Sequence, residues 1–243
     1  MSEQRKKARQ LANEAVADGR PLDWFEELYS QVAGDESGIP WADMGVNPNL
    51  ADWLQDCRGS VAGQSALVIG CGLGDDAEKL ASLGCDVTAF DISPTCIDWC
   101  RQRFPESPVN YLTADLFDSP AEWKQKFDFV FESYTLQVMP PDLRGTAIRL
   151  LAGFVSPGGR LLVISRGRDA TDDPGQMPWP LLREELHRFE DCGLTEVQFE
   201  DYVENETPPV RRFRVEYQRS GQEREQYHDT RPERVDPAET RTL

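Results

Sequence analysis

The chain has 243 residues, 39% of them hydrophobic, which is enough for one large domain with a full core. A formal net charge of −17 repels polyphosphate and argues against nucleic acid or an anionic membrane as partner. No apolar run approaches the ~20 residues that span a bilayer.

The first stretch, MSEQRKKARQLANEA, carries charge without a following apolar run. It reads as a polar helix over residues 4–18 and not as a secretory signal. A cytoplasmic location is the expectation, with free thiols at Cys57, Cys71, Cys85, Cys96, Cys100 and Cys192. Cys96 and Cys100 have i, i+4 spacing, but there is no Cys-x-x-Cys pair, and the histidines are His187 and His228 alone. Buried small hydrophobes are therefore favoured over a metal site. A second helix over 22–32 places Leu22, Phe25, Leu28 and Tyr29 on one face. Gly34 and Gly38 break the chain. Pro48 then opens a third helix, with Leu50, Trp53 and Leu54 on its apolar side.

From Ser65 the pattern changes. SALVIG is a short branched run that reads as a strand. A glycine turn and the helix DDAEKLASLG follow, and Gly84 ends that helix. CDVTAFD is a second strand. SPTCIDWCRQRF is a helix with Ser93 as N-cap and Pro94 at its first position. VNYLTAD and FDFVFES are the third and fourth strands. A helix runs from Pro140-Pro141 to about Phe154, SPGG is a turn, and RLLVISR is the fifth strand. LLREELHRFEDCG is a helix. TEVQFEDYV and VRRFRVEYQR close the pattern as an antiparallel hairpin, because NETPP is too short for a parallel crossover. The first five strands are near-continuous apolar runs, which suits a parallel sheet covered on both faces.

The expected fold is α/β: a Rossmann-like, doubly wound, seven-stranded sheet in an α-β-α sandwich, mostly parallel with an antiparallel C-terminal strand. Residues 1–60 read as a helical segment covering the active site, 61–219 as the core, and 220–243 as a polar tail without stable packing.

In such a sheet, ligands bind beyond the carboxyl ends of the strands. Those ends hold GCGLG, Asp91, Ala114-Asp115-Leu116-Phe117, Glu132-Ser133-Tyr134 and Arg166-Gly167-Arg168-Asp169. Gly70, Gly72 and Gly74 allow close backbone approach. Asp91 follows Gly70 by about 20 residues, the offset that sets a carboxylate beside a ribose diol. Asp115 can accept from an adenine amino group or cap the following turn. A dinucleotide fingerprint needs a glycine where Asp75 stands, and Asp75 and Asp76 oppose a pyrophosphate at the helix N-terminus. S-adenosylmethionine fits better: it has adenosine, an amino-acid end and a sulfonium cation, and no phosphate.

GCGLG, AFDIS, TADLF, FDFVFES and SPGGRLLVISR, in this order, resemble a class I S-adenosylmethionine-dependent methyltransferase over about residues 22–219. Many members carry an acid two residues before the first glycine, where this chain has Val68. The thiopurine S-methyltransferase-like branch similarly lacks it. That branch is also similar in the aromatic pair of DWFEELY (Trp24 and Tyr29), in Pro40-Trp41, in Asn47-Pro48-Asn49-Leu50, in FDFVFESYTLQVMPP and in the segment from Gly175 to Trp179. Two departures stand out. The branch's Asp-Arg is Glu132-Ser133 here, so an arginine of the substrate side is absent, and its Pro-Phe is Pro178-Trp179.

The resemblance implies S-adenosyl-L-methionine as cofactor, with S-adenosyl-L-homocysteine as product. It implies Trp41, Gly70, Cys71, Gly72, Gly74, Asp91, Ile92, Asp115, Leu116 and Glu132 as the residues around it. It also implies a small-molecule acceptor with a soft nucleophile: a thiol or thiopurine, a selenium or tellurium species, or a halide. Methylation is then an in-line displacement. Tyr134, Arg166, Arg168 and Trp179 are the substrate-side candidates. The two arginines suit an anionic acceptor, and Trp41 and Trp179 suit lids over the site. His187 sits among charged residues of a predicted helix and is not taken as a base, and no catalytic residue is assigned. Two alternatives stay open: methyl transfer to an oxygen or nitrogen of a small metabolite, and a non-catalytic donor-binding protein. The pattern does not distinguish a monomer from a dimer.

Overall fold

The computed structural model describes residues 2–56 and 61–221. Cys57, His228 and the tail beyond residue 221 lie outside the described residues. The chain opens with α1 (Glu3–Ala17), α2 (Trp24–Val32) and α3 (Pro48–Asp56). Ser2 caps α1 by accepting from Arg5 N, and Ala8, Leu11, Ala12 and Ala15 form the buried stripe of that helix. The stripe shares a cluster with Trp24, Leu28 and Tyr29 of α2 and with Leu73, Cys96 and Met177. The first two helices therefore sit on segments that follow β-strands of the core.

The core alternates strictly at first: β1 (Ser65–Ile69), α4 (Asp75–Ser82), β2 (Asp86–Asp91), α5 (Pro94–Arg103), β3 (Asn110–Thr113). Then come β4 (Phe127–Ser133), α6 (Pro141–Phe154), β5 (Val155–Arg168), β6 (Leu181–Leu182), α7 (Arg183–Asp191), β7 (Leu194–Glu204) and β8 (Val210–Arg219). The strand order is β3-β2-β1-β4-β5-β8-β7, with β6 paired to β5 off this path. Strands β1 to β5 pair in parallel, and β8 runs antiparallel to both β5 and β7. This is the Rossmann-like arrangement read from the alternation of strands and helices.

Two apolar faces hold the sheet. Leu67 and Ile69 of β1 cluster with Ala147, Ile148 and Leu151 of α6. Ala66 and Val68 cluster with Ala77 and Leu80 of α4 on the other side. Successive side chains leave a strand on opposite faces, so a strand buried on both must be apolar throughout. Each fully buried Leu, Ile, Val or Phe contributes roughly 1.5–3 kcal/mol.

The structure differs from the sequence reading in three places. The SPGG segment is not a separate turn: Val155–Arg168 is one strand whose pairing with β4 slips between Phe127 and Phe129. Gly158 takes φ +81, which lets the chain bulge without leaving the ladder. β6 has two residues, too few to carry a period. Helix α2 begins at Trp24, not Leu22.

From β1 the chain steps outward to β2 and β3, then returns to β4 on the other side of β1. The switch in strand order falls between β1 and β4, and a crevice opens there at the carboxyl ends.

Candidate active site

A cavity of about 1050 Å³ lies at those ends, bounded by segments after β1, β2, β4 and β5. The loop after β1 contributes Gly70, Gly72 and Gly74, with φ of +57, +52 and +91. Cys71 N donates to Phe90 O (2.9 Å), which ties the loop to β2. Gly72 N donates to Asp91 Oδ2 (3.2 Å) and Ser93 N to Asp91 Oδ1 (3.0 Å). Two backbone donors thus fix Asp91 at the end of β2, while burial pushes its carboxyl up to about 6.

Tyr29 of α2 and Trp41 stand over the loop. Trp41 Nε1 donates to Tyr29 Oη (3.0 Å), and Trp41 Cδ1 and Tyr29 Oη lie 3.9 and 3.8 Å from where a Cβ would stand on Gly72. From below, Cys96 and Cys100 of α5 donate their thiols to Gly72 O at 2.9 and 3.0 Å. Both are fully buried, and they brace the loop. Among the described residues, no group of three His, Cys, Asp or Glu is placed to hold a metal ion.

Helix α4 begins at the end of the loop. Arg103 of α5 grips Asp75 with both terminal nitrogens (2.9 and 3.0 Å). Asp76 Oδ1 accepts from Asn47 N (2.7 Å), and burial raises its carboxyl to about 6. Asn47 Nδ2 reaches on to Ser133 Oγ at the end of β4 (2.7 Å). The N-terminal segment is thereby pinned to the ends of two neighbouring strands. Asn47-Pro48 was legible as a helix start, but its partners lie far away in sequence.

The remaining cofactor-side candidates divide. Trp41, Cys71, Ile92, Asp115 and Leu116 line the cavity. Asp115 Oδ1 also accepts from Phe117 N (2.8 Å), capping the short turn at 116–118. Glu132 does not line the cavity. It is fully buried, and its Oε1 accepts from Thr135 N (2.7 Å) and Leu136 N (2.9 Å), while Oε2 has no partner. The alternation along β4 explains this: Phe131 and Ser133 reach the cavity, and Glu132 points to the opposite face. Burial pushes its carboxyl up to about 7.

On the substrate side, Tyr134 and Arg166 line the cavity. Tyr134 holds φ +65, unusual for a residue with a side chain, and backbone strain of this kind gathers at functional sites. Its hydroxyl accepts from Asn49 Nδ2 (3.2 Å), and the Arg212 guanidinium lies 4.6 Å from its ring centre. Arg168 shares a face of β5 with Arg166 but stands one pleat farther out. Its Nη1 donates to Asp169 O (3.2 Å), outside the cavity wall. Trp179 also stays outside. It packs under the Arg144 guanidinium at 5.9 Å, while Met177, Pro178 and Pro180 face the cavity. His187 lies on α7 away from the cavity. Sequence reasoning missed Arg5 and Arg9 of α1 and Arg212 of β8, which all line the cavity. No local motif marks them.

Three raised carboxyls give a pH signature. Asp76, Asp91 and Glu132 sit at about 6, 6 and 7, above ordinary values of 3.8, 3.8 and 4.5. They bind protons more tightly when folded, so the stability they confer is fullest below the ordinary values and is lost as pH rises through 6 to 7. The ligand-free protein is expected to melt at a higher temperature near pH 5.5 than near pH 8, a window below the value of Glu132 and above the ordinary carboxyl range. Glu132→Gln keeps the acceptor for Thr135 and Leu136 and removes the buried charge. It is expected to flatten part of that slope in calorimetric melts. A slope identical to wild type contradicts the assignment of Glu132 as a contributor.

A doubly wound sheet, a glycine loop with left-handed φ angles and a buried acid at the end of the second strand meet at one cavity, the arrangement of a Rossmann-like fold. Residues 66–159 match a family described as a methyltransferase domain. The probable thiol methyltransferase 2 of Arabidopsis thaliana is 31% identical over 166 residues, covering 63% of this chain and 71% of that protein. A ubiquinone biosynthesis O-methyltransferase of Bordetella avium (strain 197N) is 30% identical over 144 residues, and the match spans 58% of each protein, less than two thirds of that relative. Among solved structures, the magnesium protoporphyrin IX methyltransferase of Synechocystis PCC 6803 with bound S-adenosylmethionine superposes with a TM-score of 0.62 at 19% identity. It covers 82% of this chain and 95% of that one, and likeness at that identity concerns the fold. The chain belongs to the class I S-adenosylmethionine-dependent methyltransferases.

Proposed function

We propose that the chain transfers a methyl group from S-adenosylmethionine to a small soft nucleophile, in the manner of the thiopurine S-methyltransferase-like branch. The observation that carries the donor half is the joining of the glycine loop to Asp91. The glycines permit close backbone approach, and Asp91, fixed by Gly72 N and Ser93 N, keeps lone pairs for a ribose diol. The first turn of α4 carries its own acids, Asp75 and Asp76, which disfavour a phosphate at that helix N-terminus although Asp75 is paired to Arg103. The cavity and its donors therefore fit a phosphate-free nucleoside.

When bound, S-adenosylmethionine supplies a methyl group already activated by its sulfonium. The protein's part is alignment and exclusion of water. Asp91 accepts from the ribose hydroxyls. Asp115 caps its turn with Oδ1 and offers its second oxygen to the adenine amino group. Tyr29 and Trp41 cover the loop, and an aromatic face beside a sulfonium adds cation–π attraction. Tyr134 and Arg166 face the acceptor.

The soft-nucleophile reading draws support from the Arabidopsis relative, named a thiol methyltransferase. Transfer to oxygen or nitrogen is the second reading, supported by the relative named an O-methyltransferase. The test is incubation of the purified protein with labelled donor and a panel of thiols, selenols, halides, phenols and amines. Turnover of thiols or selenols is expected. Methylation confined to phenols or amines overturns the first reading in favour of the second. S-adenosylhomocysteine binding without turnover of any acceptor reduces the protein to a non-catalytic binder.

A further inference from the structure

The cavity has a second polar end, opposite in sign to the cofactor acids. Arg5 and Arg9 of α1, Arg166 of β5 and Arg212 of β8 all line it. In a chain of net charge −17, such a gathering of cations is not an average sample of the surface. Three of them are engaged. Arg212 donates to Glu204 (2.6 Å) and Glu206 (2.5 Å), Arg5 lies 3.7 Å from Glu206, and Arg9 donates to Gln176 Oε1 (3.2 Å) and to Met177 O.

Arg166 differs. Its guanidinium makes no hydrogen bond or ion pair with a described residue, and its Nε is buried without a partner. Burial, with Arg212, Arg5 and Arg9 nearby, presses its pKa down. A desolvated cation facing like charges is costly to hold. The carboxylates at this end, Glu204 and Glu206, are already taken up by Arg212 and Arg5. Glu206 offsets part of the charge from a distance, but no carboxylate of the described residues pairs with Arg166, and an incoming anion would do so.

The wall between the two ends is largely apolar, with Leu22, Phe25, Val138, Met139 and Pro180 facing inward. The volume of about 1050 Å³ exceeds the range of ~300–1,000 Å³ that suffices for one drug-sized ligand. A nucleoside donor plus a single-atom halide would leave much of it unfilled.

Resting on the methyl-transfer reading, we infer that the acceptor is an organic anion. It has an apolar body and a carboxylate or comparable oxyanion that docks on Arg166, with Arg5 and Arg9 of α1 closing the anion subsite. The anionic group is separate from the atom that is methylated. The N-terminal helix thus contributes to acceptor choice as well as covering the site. A guanidinium–oxyanion pair is directional and charge-assisted, which sets the orientation of the apolar body in the cavity.

The experiment is a calorimetric titration of the full chain, saturated with S-adenosylhomocysteine, with benzoate, phenyl phosphate and benzyl alcohol. None of these carries the nucleophile, so the result does not depend on which atom accepts the methyl group. Benzoate is expected to bind about 10- to 100-fold more tightly than benzyl alcohol, the range of a hydrogen bond to a charged group. Arg166→Gln is expected to abolish the difference, and Arg166→Lys to keep part of it. Both variants are expected to melt near wild type and to bind S-adenosylhomocysteine as wild type does. A preference for phenyl phosphate over benzoate by a similar factor identifies a phosphate ester as the anion. Equal affinity for benzoate and benzyl alcohol overturns the inference, as does undetectable benzoate binding or an anion preference that survives Arg166→Gln. A protein that fails to bind S-adenosylhomocysteine fails the underlying reading, and the anion comparison is then made on the ligand-free chain.

Discussion

Asp91→Asn is expected to weaken S-adenosylhomocysteine binding by about 10- to 100-fold, and Asp91→Ala by about 100-fold or more, from the ~1.5–3 kcal/mol carried by hydrogen bonds to a charged group. The asparagine is not a mild change here. Both carboxylate oxygens of Asp91 already accept backbone N–H groups, from Gly72 and Ser93. An amide must turn its NH₂ toward one of them, leaving a donor facing a donor in a buried site. The loop that approaches the ligand is then released together with the acceptor for the ribose. Calorimetric titration near pH 8, well above the value of about 6 for the wild-type carboxyl, is the measurement. Binding by Asp91→Asn within about threefold of wild type would remove Asp91 from the site, since a lost charged hydrogen bond cannot be that small. Wild-type affinity should itself fall as pH drops below about 6, by roughly tenfold per unit, because the protonated carboxyl accepts poorly. Ligand affinity and ligand-free stability therefore move in opposite directions on acidification.

Gly74→Ala is expected to lower stability by about 3 kcal/mol, the combined cost of a left-handed non-glycine residue and of overpacking. Gly74 has φ +91, and an added Cβ would stand 2.5 Å from Tyr111 Oη and 3.3 Å from Cys100 Sγ. Tyr111 cannot easily yield, because its hydroxyl donates to Glu78 Oε1 (2.7 Å) in the helix that Gly74 begins. Gly158→Ala is the control. Its φ is +81, but nothing lies within 4 Å of the added atom, so only the backbone cost of ~1–2 kcal/mol remains. Calorimetric melts of the two variants separate the clash from the conformation. Equal losses would show that Tyr111 moves aside without cost.

Much of the glycine-loop end of the cavity was legible because it is local. Gly70, Gly72, Gly74 and Asp91 all belong to one β-α-β unit, so spacing along the chain reports spacing in the fold. Asp75 and Asp76 were also legible as acids at a helix start. Their partners, Arg103 and the backbone of Asn47, were not, since each comes from another element. Glu132 shows a limit of a different kind. Its place at a strand end was visible, but a strand end offers two faces, and the structure assigns Glu132 to the buried one.

The arginine end of the cavity was the least legible. Arg166 and Arg168 read alike in the sequence, two residues apart on one strand. Two strand residues advance the chain by ~6.6 Å, and that is enough to leave Arg166 on the cavity wall and Arg168 beyond it. Trp179 turned to Arg144 on α6, while the prolines beside it took the wall. Arg5, Arg9 and Arg212 come from opposite ends of the chain and meet only through packing.

The alternation of strands and helices, the parallel sheet with its antiparallel C-terminal strand, and the glycine loop followed by Asp75 and Asp76 can all be read from the chain alone. Those features follow from periodicity and short-range spacing, which one segment carries alone. Tertiary structure decided which long polar side chains reach the cavity, and so where the unpartnered charge of Arg166 lies. Such side chains are placed by neighbours distant in sequence, and a guanidinium is free or paired only with respect to groups that folding brings beside it.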